Sequence, residues 1–122
     1  MSNIRSYKDL LIWQKAVDLV TDVYRNIKKF PSDERFVLGE QIRRSAISVP
    51  SNIAEGQARK HTAEFRQFLY ISLGSLAELD TQVIISEKLG YLNEEVVSLF
   101  GKKITELRKM IFGVIRKLDN RN

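Results

Sequence analysis

Cysteine is absent from this chain of 122 residues. That excludes disulfides, thiolate metal sites and cysteine nucleophiles, and it fits a reducing compartment. Histidine occurs once, as His61 in the polar run Arg59-Lys60-His61-Thr62, which reads as a solvated turn between helices. A metal site would therefore rest on carboxylates alone, and the Glu-x-x-His spacing of di-iron bundles is missing. No phosphate loop of the G-x-x-x-x-G-K-[ST] or G-x-G-x-x-G kind occurs. A lone surface histidine gives the plentiful serines and aspartates no base to work with. Neither catalysis nor a cofactor is expected. No run of about 18 apolar residues is present, and Met1 to Tyr7 lacks the apolar core of a secretory signal, so no membrane span and a cytoplasmic location are expected. No segment alternates at strand period, and neither Asn-Gly nor Asp-Gly marks a hairpin.

Proline and glycine are also scarce, with two and six copies, and they fall mostly at punctuation. Phe30-Pro31-Ser32 ends one segment, Gly56 closes a second and Gly90 a third. Apolar residues make up 43% of the chain and charged residues 29%, which are the proportions of a folded domain of this length. Four amphipathic segments are predicted, at about 9–29, 33–56, 62–89 and 94–118. In the first, Leu10, Trp13, Val17, Val20, Tyr24 and Ile27 step at helical spacing, and Ser6 with Asp9 resembles a capping box. The second starts after Ser32, with Asp33 and Glu34 at the positive end of the dipole. It carries Leu38, Ile42, Ala46, Val49 and Ile53, with a kink or break near Pro50. The third is lined by Phe65, Leu69, Leu73, Leu76, Leu79 and Val83, widened by Phe68, Ser72, Ala77 and Ile84, and Gly90 suits its C′ position. The fourth follows Asn93, with Val97, Phe100, Ile104, Leu107, Ile111, Val114 and Leu118 in an unbroken line. Long helices and short connections give an all-α, antiparallel up-down-up-down four-helix bundle in one domain.

Apolar residues exceed what one stripe per helix requires. Ile12, Ala16, Leu19 and Val23 lie off the first seam, Ile71, Ile84 and Ile85 off the third, and Val96, Leu99, Met110, Phe112 and Ile115 off the fourth. The surplus points to a self-association surface. A wide intramolecular core with scattered surface residues is the competing explanation.

Charge is uneven. Residues 1–101 hold 13 basic and 13 acidic side chains, so the net +5 resides in the last segment. There Lys102, Lys103, Arg108, Lys109, Arg116, Lys117 and Arg121 face only Glu106 and Asp119. Lys102, Lys109 and Arg116 recur every seven residues, as a ridge able to track phosphates without reading sequence or simply as a solvated face. Trp13, Tyr7, Tyr24 and Tyr70 do not interleave with this cluster as a stacking platform would.

The most unusual stretch runs from Gln41 to Gly56, QIRRSAISVPSNIAEG. Arg43 and Arg44 point about 100° apart on a helix, so one can face solvent while the other meets a buried carboxylate, with Glu78 and Glu55 as candidates. Two readings stand: a buried polar network in which Ser45, Ser48 and Asn52 satisfy backbone opened by Pro50, or a ligand or partner site.

Together with Trp13-Gln14-Lys15-Ala16, Phe30-Pro31 with Glu34, and Ser75-Leu76-Ala77-Glu78-Leu79, this stretch resembles the four-helix bundle family encoded within bacterial 23S rRNA intervening sequences, over about Tyr7 to Leu118. The resemblance implies a homopentameric ring or barrel with no assigned catalytic residues. It also implies similarity to the basic pentameric accessory protein of diversity-generating retroelements, which associates with a reverse transcriptase and nucleic acid. The expected function is a non-enzymatic scaffold binding RNA or DNA through the basic residues, and the alternative is an adaptor for a protein partner.

Overall fold

The computed structural model describes residues 6–120. Four helices, α1 (Leu11–Ile27), α2 (Leu38–Ala58), α3 (Thr62–Lys88) and α4 (Glu94–Asp119), form an all-α bundle, with short 3-10 turns at Tyr7–Asp9 and Glu34–Phe36. Neighbours in sequence are neighbours in space, α4 closes back on α1, and α1 and α3 stand across the diagonal.

The ends of the helices follow from local chemistry. Asn93 caps α4, its Oδ1 accepting from the Val96 amide at 2.9 Å. At the end of α3, Gly90 takes a positive φ of 81°. Its amide donates to the Glu87 carbonyl and that of Tyr91 to Ser86, the paired bonds of a Schellman cap. The Ser6–Asp9 capping box forms, but it caps the first 3-10 turn and α1 begins only at Leu11. The Arg35 guanidinium donates to the carbonyls of Lys28 and Phe30, which meets acceptors left open at the end of α1. α2 starts at Leu38, not after Ser32. Residues Glu34–Phe36 make a 3-10 turn and Val37, at φ −110° and ψ −87°, breaks the path.

Pro50 lies inside α2, which bends by 35° without splitting. Around the bend α2 runs close against α3 through small residues. The Ser72 hydroxyl donates to the Val49 carbonyl at 3.0 Å, and the Ser48 and Ser75 hydroxyls are 2.8 Å apart. The Asn52 amide donates to both the carbonyl and the hydroxyl of Ser48. Gly56 does not close the helix as expected. It is buried, and α2 continues to Ala58. The left-handed residue that turns the chain is Lys60, at φ 62°.

The core is one continuous cluster. α2 and α3 contribute the seams anticipated, apart from half-buried Leu38, Phe65 and Leu73, but of the four residues expected to widen the α3 seam only Ser72 is buried, Phe68 being half-buried and Ala77 and Ile84 exposed. α1 does not. Its buried line is Ile12, Ala16, Leu19, Val23 and Ile27, most of which belong to the face expected to be surplus. Trp13, Val17 and Val20 are only half-buried and Tyr24 is exposed. The two apolar lines of α1 lie about 100° apart. The one that faces inward has Ala16, with no exposed surface, where the helix is pressed into the bundle. The bulky rings flank α2 instead: Trp13 meets Tyr7 edge-on at 5.4 Å, and the Arg43 guanidinium lies 5.7 Å from the Tyr24 ring centre. In α4, Ile115 is buried, while Val97 and Val114 of the expected line are only half-buried. Each fully buried Leu or Ile contributes about 1.5–3 kcal/mol.

The surplus survives, but it moves. Ile71, Ile84, Ile85, Leu99 and Phe112 remain exposed, joined by Tyr70 and Leu89. α3 holds an 18-residue window of mean hydropathy 1.3, of which 33% is buried. By length and composition it matches a membrane-crossing helix, although no unbroken apolar run spans it.

At the end of the bundle where α1 meets α2, Tyr91 packs on Phe30 with ring centres 5.4 Å apart. Partial burial raises the Tyr91 phenol above its ordinary value, and the Glu34 and Asp33 carboxylates add to the shift. Raising the native-state value means that stability is intact below the ordinary phenol pKa of about 10 and is lost as pH climbs past it. Tyr91→Phe is expected to remove a tyrosinate absorbance step above about pH 10 and to flatten the alkaline fall in stability. A lost step centred at the ordinary phenol value, with the alkaline fall in stability unchanged, would count against the burial.

Candidate nucleic-acid interface

The line Phe100, Ile104, Leu107, Ile111, Ile115 and Leu118 turns one side of α4 to the core. The opposite side follows from helical arithmetic. A seven-residue step falls about 20° short of two turns and rises about 10.5 Å. Lys102, Lys109 and Arg116 therefore form one outward ridge about 21 Å long, and all three are exposed. A shallow trough lined by Ser98, Gly101, Thr105 and Glu106 runs beside Lys102 and Lys109.

The remaining basic residues diverge from this ridge. Lys103 turns to α1, where its ammonium pairs with Asp22, so its charge holds the α1–α4 seam. Arg108 lies toward α3 and Lys117 toward α1, both exposed. Arg121 lies outside the described residues. The acidic residues decide the field around the ridge. Glu106 is drawn sideways to Lys15 of α1 at 3.5 Å, and Asp119 to Arg66 of α3 at 2.6 Å. Among the described residues, Lys102, Arg108, Lys109, Arg116 and Lys117 form no ion pair. Glu106 and Asp119 thus each have a cationic partner on a neighbouring helix, while Glu95, one heptad before Lys102 and exposed, makes the start of the ridge acidic, so the positive charge is concentrated from Lys102 to Arg116.

The polar residues of α2 separate in the same way. Ser48 and Asn52 come together at the bend, where Ser72 and Ser75 of α3 join them. Arg43, Arg44, Glu55 and Glu78 stand outside that cluster. Arg43 is half-buried without a buried carboxylate and donates to the Arg35 carbonyl at 2.8 Å and to Glu40 at 3.2 Å. Arg44 and Glu78 are exposed, and Glu55 pairs with Arg59 at 2.8 Å on the surface. The serines of α3 are legible in the sequence only as small residues on a packed face. Nothing in their spacing announces the bond to Val49. His61 is exposed at the start of α3. Among the described residues no group of three or more His, Asp or Glu side chains is arranged to hold a metal ion.

The model of one family, described as 23S rRNA-intervening sequence protein, matches residues 8–113. Among solved structures the chain is similar to a protein of unknown function from the S23 ribosomal protein family of Bacteroides thetaiotaomicron. The two are 23% identical with a TM-score of 0.80, over 86% of this chain and 98% of that one. At that identity the likeness concerns the fold. No curated protein matches the chain.

Proposed function

This chain belongs to the family of 23S rRNA-intervening sequence proteins, and from that premise we propose a non-enzymatic, self-associating helical scaffold that binds nucleic acid, RNA foremost, through phosphate contacts. The observation that carries the proposal is the α4 ridge of Lys102, Lys109 and Arg116, whose neighbouring carboxylates Glu106 and Asp119 are both tied to other helices. Self-association, as the pentamer implied by the family resemblance, would repeat the ridge around the assembly. Many weak phosphate contacts then sum into useful affinity. Recognition of this kind is blind to sequence and steeply salt-dependent.

The test is binding of a labelled structured RNA across a salt series. Replacing Lys102, Lys109 and Arg116 by Gln is expected to lower the magnitude of the log–log salt slope by about one for each phosphate that the variant no longer neutralises. Replacing all three by Glu is expected to abolish binding at physiological salt. Unchanged binding in the Glu variant would overturn the ridge. Recovery of a single stable protein partner after nuclease treatment, with no RNA affinity, would favour a protein adaptor instead.

A further inference from the structure

The seam between α3 and α4 carries an aromatic pair outside the core. Tyr70 and Phe112 meet edge to face, with ring centres 6.4 Å apart and planes at 76°, yet they remain 51% and 37% exposed. In an edge-to-face pair only one ring face is covered by the partner. In sequence Tyr70 stands far from the basic segment, and the packing of α3 on α4 brings it there. Guanidinium groups flank the pair. Arg108 and Arg116 lie four residues either side of Phe112, on the same face of α4 and about 6 Å away along its axis. Side chains lean toward the N-terminus of a helix, and Arg116 does so here: its Nη2 is 3.8 Å from the position a Cβ would take at Gly113. The guanidinium thus lies back over the turn that carries Phe112. Among the described residues neither arginine forms an ion pair. The carboxylates along the two helices are occupied or distant. Glu64 is 4.0 Å from Arg59, Asp119 is held by Arg66 and Glu106 by Lys15, while Glu78 and Asp80 lie about 12 and 15 Å along α3 from Tyr70.

Resting on the nucleic-acid binding proposed for this chain, we infer that Tyr70 and Phe112 are a stacking platform for unpaired bases, with Arg108 and Arg116 holding the flanking phosphates, so that the preferred ligand is single-stranded or looped nucleic acid and not duplex. A ring on a helix surface reaches a base only where the face of that base is bare. In a duplex each base face is covered by the next pair, and the rings would meet sugar and phosphate alone. Unpaired bases stack on aromatic side chains and on guanidinium planes alike. Such stacking tolerates any sequence, because every base has a π-face, which suits a phosphate ridge that reads none. The platform and the ridge are continuous. Lys109 is three residues from Phe112 and Arg116 belongs to both, so a strand lying on the ridge passes the rings within one turn of α4. Charge selects the occupant. An apolar surface laid over the rings would bury two guanidinium groups that no carboxylate of this chain neutralises, whereas a polyanion with bare bases meets rings and charges together. Phosphate contacts without stacking give the opposite preference, because a duplex carries the denser charge.

The experiment is fluorescence anisotropy with two labelled RNA probes of equal length, an oligouridine and a duplex, across a salt series. The wild type is expected to bind the oligouridine more tightly than the duplex. Combining Tyr70→Leu with Phe112→Leu removes both rings and keeps apolar bulk. It is expected to weaken oligouridine binding about ten-fold or more, with the salt slope and the duplex affinity unchanged. Phe112→Trp keeps a ring in place and is expected to retain the oligouridine affinity. Equal losses on both probes, no loss on either, or a changed mass by light scattering in the Leu variant would overturn the platform. So would a wild type that favours the duplex, even if the Leu variant failed to fold. In each of these cases the ridge is judged separately, by the Lys102, Lys109 and Arg116 substitutions. A wild type that binds neither probe would overturn the ridge and the platform together.

Discussion

Gly56→Leu is expected to prevent the bundle from closing. A Cβ at Gly56 would sit 2.6 Å from the Phe68 Cβ and 3.1 Å from a Phe65 ring carbon. The Phe68 Cβ cannot swing away, because it is fixed to the backbone of α3. Relief requires α2 and α3 to separate, which would stretch the Ser72–Val49 and Ser48–Ser75 bonds on the same seam. Overpacking of this kind costs about 1–3 kcal/mol for a small addition and more for a large one. A chain of this length is stable by about 6–18 kcal/mol. Gly56→Ala is expected to lower the urea midpoint despite the gain of about 1 kcal/mol in helix propensity, and Gly56→Leu to abolish the cooperative transition. Gly74→Ala is the control. With open space at that site, it is expected to stabilise the isolated chain by about 0.5–1 kcal/mol. The same substitution thus has opposite signs on two helices, and equal signs would refute the close α2–α3 approach.

Leu19→Ala is expected to cost about 2–5 kcal/mol, and Tyr24→Ala less than about 1 kcal/mol. Leu19 is buried while Tyr24 is 41% exposed, and the loss at Tyr24 is confined to its ring under Arg43. At this chain length each kcal/mol moves Tm by roughly 3–6 °C, so thermal melts separate the two variants clearly. The reverse order would mean that α1 is rotated by about 100° about its axis, with the Trp13–Val17–Tyr24 line inside.

That pair of variants addresses the part of the fold that periodicity leaves undecided. α1 carries two apolar lines of similar strength, and periodicity weighs them equally. Large rings bias the eye toward Trp13 and Tyr24. A helix pressed against its neighbours instead turns its smallest line inward, here the one containing Ala16. The candidate site is legible in the sequence for a related reason. Lys102, Lys109 and Arg116 share a face by helical arithmetic alone, whereas the diversion of Lys103 to Asp22 and of Glu106 and Asp119 to other helices involves partners 53 to 91 residues away.

By itself the sequence determined four helices, the caps at Asn93 and Gly90, the class of the fold and the spacing of the basic ridge. Those depend on residues within a turn or two of each other, whose energetics any local segment carries with it. Only the tertiary structure decided which line of α1 is core, that Pro50 bends α2 without breaking it, and that Gly56 is a contact and not a terminator. It also decided which charges remain free on α4. Each of these is fixed by a partner on another helix, and which residues meet across a bundle is settled by packing all the helices at once.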